Sequence, residues 1–108
     1  MTKLNILPGT LDLIVLKVLS IEPLHGYAVS QRVQAASNGR LLLEEGSLYP
    51  ALYRMERKGW IESEWQKTDN GRRARVYRLS DEGGRQLAQE EANWLGVSAV
   101  MGSILDLK

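Results

Sequence analysis

Residues 45–59, which read EGSLYPALYRMERKG, constrain the fold most, because their spacing predicts a helix with two different faces. Leu48, Leu52 and Met55 recur at helical intervals and predict a buried stripe. At about 100° per residue, the opposite side of the helix is polar and partly cationic. It presents Ser47, Pro50, Tyr53, Arg54 and Arg57. We expect Pro50 near the start of the helix, where a missing N–H costs little, and Gly59 at its end.

A helix of this kind suits insertion into the major groove of DNA, although taken alone it is more often a solvated surface helix. The charge around it favours the first assignment. Residues 54–79 carry eight Lys and Arg against four Asp and Glu, whereas the whole chain has a net charge of only +1. Residues 1–53 balance to zero, and residues 80–108 carry −3. A phosphate backbone would therefore attract the middle of the chain and not its tail.

The composition excludes several classes of function. The chain has 108 residues, no Cys and one His, so it offers one modest domain without disulfide, thiolate or zinc chemistry. We expect His25 to start or pack a helix and not to act as a base. No nucleophile–base pair, metal cluster or phosphate-binding loop is visible, so no enzyme activity, metal or cofactor is expected. No apolar run reaches the roughly 18 residues of a membrane span. A signal peptide is not recognisable either, so we expect a cytoplasmic protein.

Two further helices are predicted before the central one, and a β-hairpin after it. Residues 7–20 form a first helix that is apolar on most of its circumference, and the second begins near His25. After Gly59, residues 60–68 and 72–79 alternate and are rich in β-formers, with Asp69, Asn70 and Gly71 as the turn. Ile61, Tyr77 and Leu79 should face the core, and Trp65 should meet Arg75 across the hairpin.

The tip of this hairpin is basic, with Lys67, Arg72 and Arg73 around the turn and Arg75 further along the second strand. A solvated basic turn is the simpler explanation. Three helices followed by a hairpin with a cationic tip, however, make a winged helix–turn–helix. We therefore predict a mainly α protein with a small β-hairpin, in which residues 1–79 form a DNA-binding domain.

Residues 80–108 predict a C-terminal dimerisation helix. Ser80 should cap it, with Asp81 and Glu82 in its first turn. Its apolar residues fall close to a heptad seam, which Glu90 interrupts once. The seam consists of Leu87, Trp94, Val97, Met101 and Ile104. Because only the over-apolar first helix is left to cover it, we expect a two-fold dimer in which the seam packs on its counterpart and on that helix.

Three blocks of the chain strongly resemble PadR-type bacterial transcriptional regulators. They are GTLDLIVLKVLSIEPLHGYAVSQRV (9–33), EGSLYPALYRMERKGWIES (45–63) and RRARVYRLSDEG (72–83). The resemblance covers almost the whole chain and is specific in LHGY and LYPALYRME. It implies a homodimeric, effector-responsive regulator of the short-tailed branch, usually a repressor, that binds a palindromic operator in double-stranded DNA. Some small members bind flat hydrophobic compounds between aromatic residues of the last helix. Trp94 lies in the comparable region, either as part of an effector pocket or as plain dimer core.

We expect the dimer to place two copies of the central helix in successive major grooves. The residues nearest to bases or sugar-phosphate would be Ser47, Tyr49, Pro50, Tyr53 and Arg54. Arg54 is the best candidate for a bidentate guanine contact, worth about 1–3 kcal/mol of discrimination. Phosphate contacts would come from Lys67, Arg72, Arg73 and Arg75. The alternative is a winged helix that binds another protein and never touches DNA, which would show little salt dependence.

Overall fold

The computed structural model describes residues 4–108 and confirms a mainly α winged helix–turn–helix. Within that range, four helices and three short strands follow one another. In chain order they are α1 (Pro8–Ile21), β1 (Leu24–His25), α2 (Gly26–Ala36), α3 (Glu45–Arg57), β2 (Ile61–Lys67), β3 (Arg73–Leu79) and α4 (Asp81–Leu105). None of these helices combines the length and apolar character that crossing a membrane requires.

The strands form one antiparallel sheet in the order β1-β3-β2. The hairpin pairs Ile61 with Leu79 at its base and Lys67 with Arg73 near its tip. β1 adds a third strand by pairing Leu24 with Tyr77. β1 is absent from the predicted elements because a strand of two residues is too short to show a period.

The hairpin turn lies where the sequence predicts it. Gly71 donates its N–H to the carbonyl of Thr68 at 2.9 Å, which makes Asp69 and Asn70 the central turn residues. Gly71 follows them with φ of +82°, a left-handed conformation that glycine adopts without steric cost. This is the three-residue hairpin loop that ends in a left-handed glycine.

The core forms where α1, α2, α3 and β2 meet. Seven of its side chains are less than 2% exposed: Val15, Leu16, Val29, Leu48, Leu52, Met55 and Ile61. The stripe predicted on α3 is thus confirmed, and each such side chain stabilises the fold by about 1.5–3 kcal/mol relative to an exposed position.

Pro50 departs from its expected place near the helix start. It is the sixth residue of α3 and lies inside the helix, so the carbonyl of Gly46 lacks its usual helical donor. Both residues are exposed, which lets water reach that carbonyl. The proline is tolerated one turn later than expected for this reason.

The start of α4 is fastened to the end of α3. Ser80 accepts from the N–H of Gly83 at 3.0 Å and donates its hydroxyl to the carbonyl of Gly59 at 2.5 Å. Its own N–H donates to the carbonyl of Trp60 at 3.0 Å. A Cβ added to Gly83 would stand 1.9 Å from that Trp60 oxygen, so only glycine fits this close approach.

Leu87 corrects the predicted dimer seam. It is only 9% exposed and belongs to the core of its own chain, because the first two turns of α4 lie on the domain. From Glu91 onward every residue is exposed. The unpartnered part of the seam therefore begins at Trp94.

Candidate nucleic-acid interface

The outer face of α3 is exposed along its length. Ser47 lies in its first turn and Pro50 in its second, and Tyr53, with 65% of its surface exposed, lies about one turn beyond Pro50. Tyr53 and Arg57 also line a cleft of about 400 Å³ together with Arg75 of β3. The polar face of α3 is thus continuous with the middle of β3.

Tyr49 differs from the expectation that it faces DNA. A Cβ added to Gly26 would stand 2.7 Å from Cε1 of Tyr49 and 2.8 Å from its hydroxyl oxygen. The tip of the ring therefore lies against the first residue of α2, although 41% of Tyr49 remains exposed. Tyr49 therefore contributes to the packing of α2 on α3, and a side chain at position 26 would collide with its ring.

Arg54 departs most from its expected role as a guanine contact. Its two terminal nitrogens donate to the two carboxylate oxygens of Asp12 at 2.7 and 2.8 Å. These hydrogen bonds raise the pKa of Arg54 above its ordinary value. Asp12 is only 7% exposed. The Arg54 guanidinium, expected to bind a guanine, therefore neutralises a buried carboxylate of α1 instead.

Asp12 is a partner of Arg54 that the sequence does not predict. The two residues are 42 positions apart, beyond the reach of any local pattern. A signal was nevertheless present: a lone carboxylate interrupts the apolar first helix, and buried carboxylates require a partner.

Arg75 links the hairpin to α3. Its Nε donates to the hydroxyl of Ser63 at 2.7 Å, and a terminal nitrogen lies 3.4 Å from a carboxylate oxygen of Glu56. Ser63 donates in turn to Glu56 at 2.8 Å. The predicted contact with Trp65 is confirmed, with the guanidinium 5.6 Å from a ring centroid. Arg75 is thus engaged within the protein rather than extended as a phosphate contact.

The cationic side chains at the hairpin tip are exposed to solvent. Lys67, Arg72 and Arg73 are exposed, and none of them forms an ion pair within residues 4–108. Arg73 lies 5.6 Å from the Trp65 ring centroid, which extends it along the hairpin surface.

Trp94 lies at the wall of an apolar groove of about 440 Å³. Leu13, Ile14 and Val18 of α1 form one side of this groove. Val33 and Ala36 of α2 line it as well. Trp94 itself is 47% exposed, so one chain alone leaves the groove partly open.

The remaining seam residues are also exposed. Val97 is 52% exposed, Met101 47% and Ile104 51%, and they follow Trp94 at alternating spacings of three and four. Such spacing puts them on one face of the helix. Nothing within residues 4–108 covers that face.

His25 has the helix-start role that the sequence predicts. Its Nδ1 accepts the N–H of Ala28 at 3.3 Å and so caps α2. In the described part of the chain, no group of three or more His, Asp or Glu side chains is arranged to hold a metal ion.

Helices α2 and α3 pack as a helix–turn–helix, and the β2–β3 hairpin lies beside α3 as a wing. This arrangement defines a winged helix–turn–helix protein. Residues 15–89 match the family model of the transcriptional regulator PadR-like family. The chain belongs to this family.

Three solved structures show the similarity. A PadR family transcriptional regulator from Eggerthella lenta is 35% identical, with a TM-score of 0.80 over 93% of this chain and 85% of that one. A transcriptional regulator from Clostridium thermocellum is 26% identical, with a TM-score of 0.81 over 88% and 92%. A PadR-like transcriptional regulator from Bacillus cereus is 28% identical, with a TM-score of 0.78 over 93% and 95%.

Proposed function

We propose that the protein is a cytoplasmic, homodimeric repressor that places two copies of α3 in successive major grooves of a palindromic operator. One observation carries this proposal: the exposed polar face of α3 is continuous with a wing whose tip cations have no acidic partner within residues 4–108. A polar helix face offers groups to base edges, and unpaired cations attract phosphates.

The residues divide into two roles in this proposal. Ser47, Pro50 and Tyr53 face base edges or sugar-phosphate, because they are exposed on the outer side of α3. Lys67, Arg72 and Arg73 contact phosphates from the wing and account for most of the salt dependence. Tyr49, Arg54 and Arg75 do not contact DNA in this proposal. They hold α3 and the hairpin in place through their contacts within the protein.

Dimerisation is assigned to residues 80–108, and DNA binding to residues 1–79. The 25-residue α4 is about 37 Å long at 1.5 Å per residue, and its second half lies free of the domain. Trp94, Val97, Met101 and Ile104 expose about half of their surfaces there. A contiguous apolar face of this size marks a protein interface, and a two-fold axis along α4 covers both copies at once.

The first experiment is selection of genomic fragments with the purified protein, followed by a salt titration on the enriched fragment. We expect a palindromic fragment, bound by a dimer, whose affinity falls steeply as salt rises. A reporter placed behind that fragment should be transcribed less when the protein is present. Enrichment of no fragment, or binding indifferent to salt, would favour a protein-binding winged helix instead.

The dimer is tested by introducing glutamate separately at two positions of α4 and comparing the two variants. Met101→Glu places a charge in the proposed seam, whereas Ala99→Glu places it on the opposite side of the same helix. Sedimentation equilibrium should show a weakened dimer for the first variant and an unchanged dimer for the second. Equal weakening of both would remove the assignment of this face.

The effector is proposed to be a flat hydrophobic compound held beside Trp94, because the groove there is apolar and aromatic on one side. The fluorescent probe 1-anilinonaphthalene-8-sulfonate tests this. Its binding should be lost in Trp94→Ala and kept in Trp65→Ala, which removes a tryptophan of similar exposure from the wing. If the groove is an effector site, the bound probe should also lower the affinity of the protein for its operator. An unchanged operator affinity would mean that the groove only forms part of the dimer core.

A further inference from the structure

We propose that Arg54 is a positioning residue for DNA binding: it sets the angle of α3 on α1 through Asp12 and makes no contact with DNA. The inference rests on the proposed function, because it concerns how the reading helix is held. It reassigns the residue of the α3 outer face that the sequence favours for a bidentate guanine contact.

The geometry of the pair supports this assignment. Two parallel hydrogen bonds, at 2.7 and 2.8 Å, fix the guanidinium in both distance and plane. Such bidentate pairs define an orientation, whereas a single bond leaves a helix free to pivot about it. Because Asp12 is 7% exposed, releasing Arg54 toward a base would leave a buried carboxylate without a counter-charge.

The position of the pair makes the angle of α3 depend on it. Leu48, Leu52 and Met55 attach α3 to the core along one stripe, and apolar contacts of this kind are non-directional, so they do not by themselves fix the angle of the helix. On the wing side, Glu56 is held by Ser63 at 2.8 Å. Arg54 provides the corresponding attachment on the α1 side. Loss of either would let the polar face turn relative to the wing.

The test is a double-mutant cycle on the DNA fragment enriched by wild-type protein, comparing Arg54→Ala, Asp12→Ala and the double variant. Affinity is measured at a temperature where circular dichroism shows each variant to be folded. We expect each single change to weaken binding roughly 3- to 100-fold, and the double variant to be no worse than either. The slope of affinity against salt and the preferred base at each position should stay as in the wild type.

Arg57→Ala is the matched control, since it removes an exposed arginine three residues along the same helix. Its effect should add to that of Asp12→Ala, because the two residues share no contact that either change would break. If Arg54→Ala does not fold, the cycle is run with Arg54→Lys and Asp12→Asn. These variants keep the side-chain sizes but remove the parallel pair of bonds, and the same non-additivity is expected.

Three results would overturn the proposal. A lower DNA affinity in Arg54→Ala with an unchanged affinity in Asp12→Ala would mean that Arg54 itself binds DNA. A higher DNA affinity in Asp12→Ala would mean the same. A salt slope reduced by about one, or a relaxed preference at one base pair, would mean the same. Unchanged affinity in folded variants would mean that the pair only stabilises the domain. Absence of binding by wild-type protein would instead refute the proposed function.

Discussion

The double substitution Arg72→Ala/Arg73→Ala tests whether the wing contacts the phosphate backbone. Both side chains are exposed and lie outside every ion pair of the described chain. In a two-fold complex, the variant loses two cations from each of two wings. Each phosphate contact contributes about 0.9 to the slope of log affinity against log salt, so the slope should fall by about 3.6. Between about 50 and 200 mM salt, the wild type should lose roughly 150-fold more affinity than the variant.

Fluorescence anisotropy on the enriched fragment and on a scrambled fragment measures these slopes. The control is Arg85→Ala/Lys108→Ala, which removes the same charge from exposed positions outside the wing, although Arg85, unlike the wing arginines, pairs with the exposed Glu82. It should leave the slope unchanged, and the wing variant should weaken both fragments alike because phosphates carry no sequence information. A wing variant with the wild-type slope would refute phosphate contact. An equal drop in the control would show that net charge, and not position, is responsible.

Three further predictions concern stability and are read from urea denaturation at one protein concentration. Gly83→Ala should cost about 2–4 kcal/mol, because its Cβ must be moved away from the Trp60 carbonyl, which lies 1.9 Å from it; Gly84→Ala, which meets only Leu79 at 4.0 Å, should be neutral or slightly stabilising. Similar midpoints for these two variants would contradict the close approach. Leu52→Ala, at a fully buried site, should cost about 2–5 kcal/mol, and a loss below 1 kcal/mol would place it outside the core. Ser80→Ala should cost about 1–2 kcal/mol through loss of the α4 cap and of the bond to the Gly59 carbonyl; Ser80→Asp should recover only the part due to the cap, because a carboxylate cannot donate to that carbonyl.

Periodicity along the chain is enough to predict the secondary structure that supports the interface. The stripe of Leu48, Leu52 and Met55, the hairpin turn near Gly71 and the Ser80 cap all appear in the structure as predicted. Each depends on residues close in sequence, since helical faces, turns and caps are set by neighbours within a few positions. The concentration of cations between residues 54 and 79 is likewise a property of the chain itself.

Tertiary contacts decide which of those side chains remain available. Arg54 and Tyr53 both lie on the outer face of α3 by periodicity. One is nevertheless bonded to Asp12, 42 residues away, and the other stays 65% exposed. Leu87 continues the α4 seam in sequence, yet the domain buries it and leaves the seam to begin at Trp94. The physical reason is the same in both cases: a local pattern defines the face on which a side chain lies, but only the folded chain determines what covers that face.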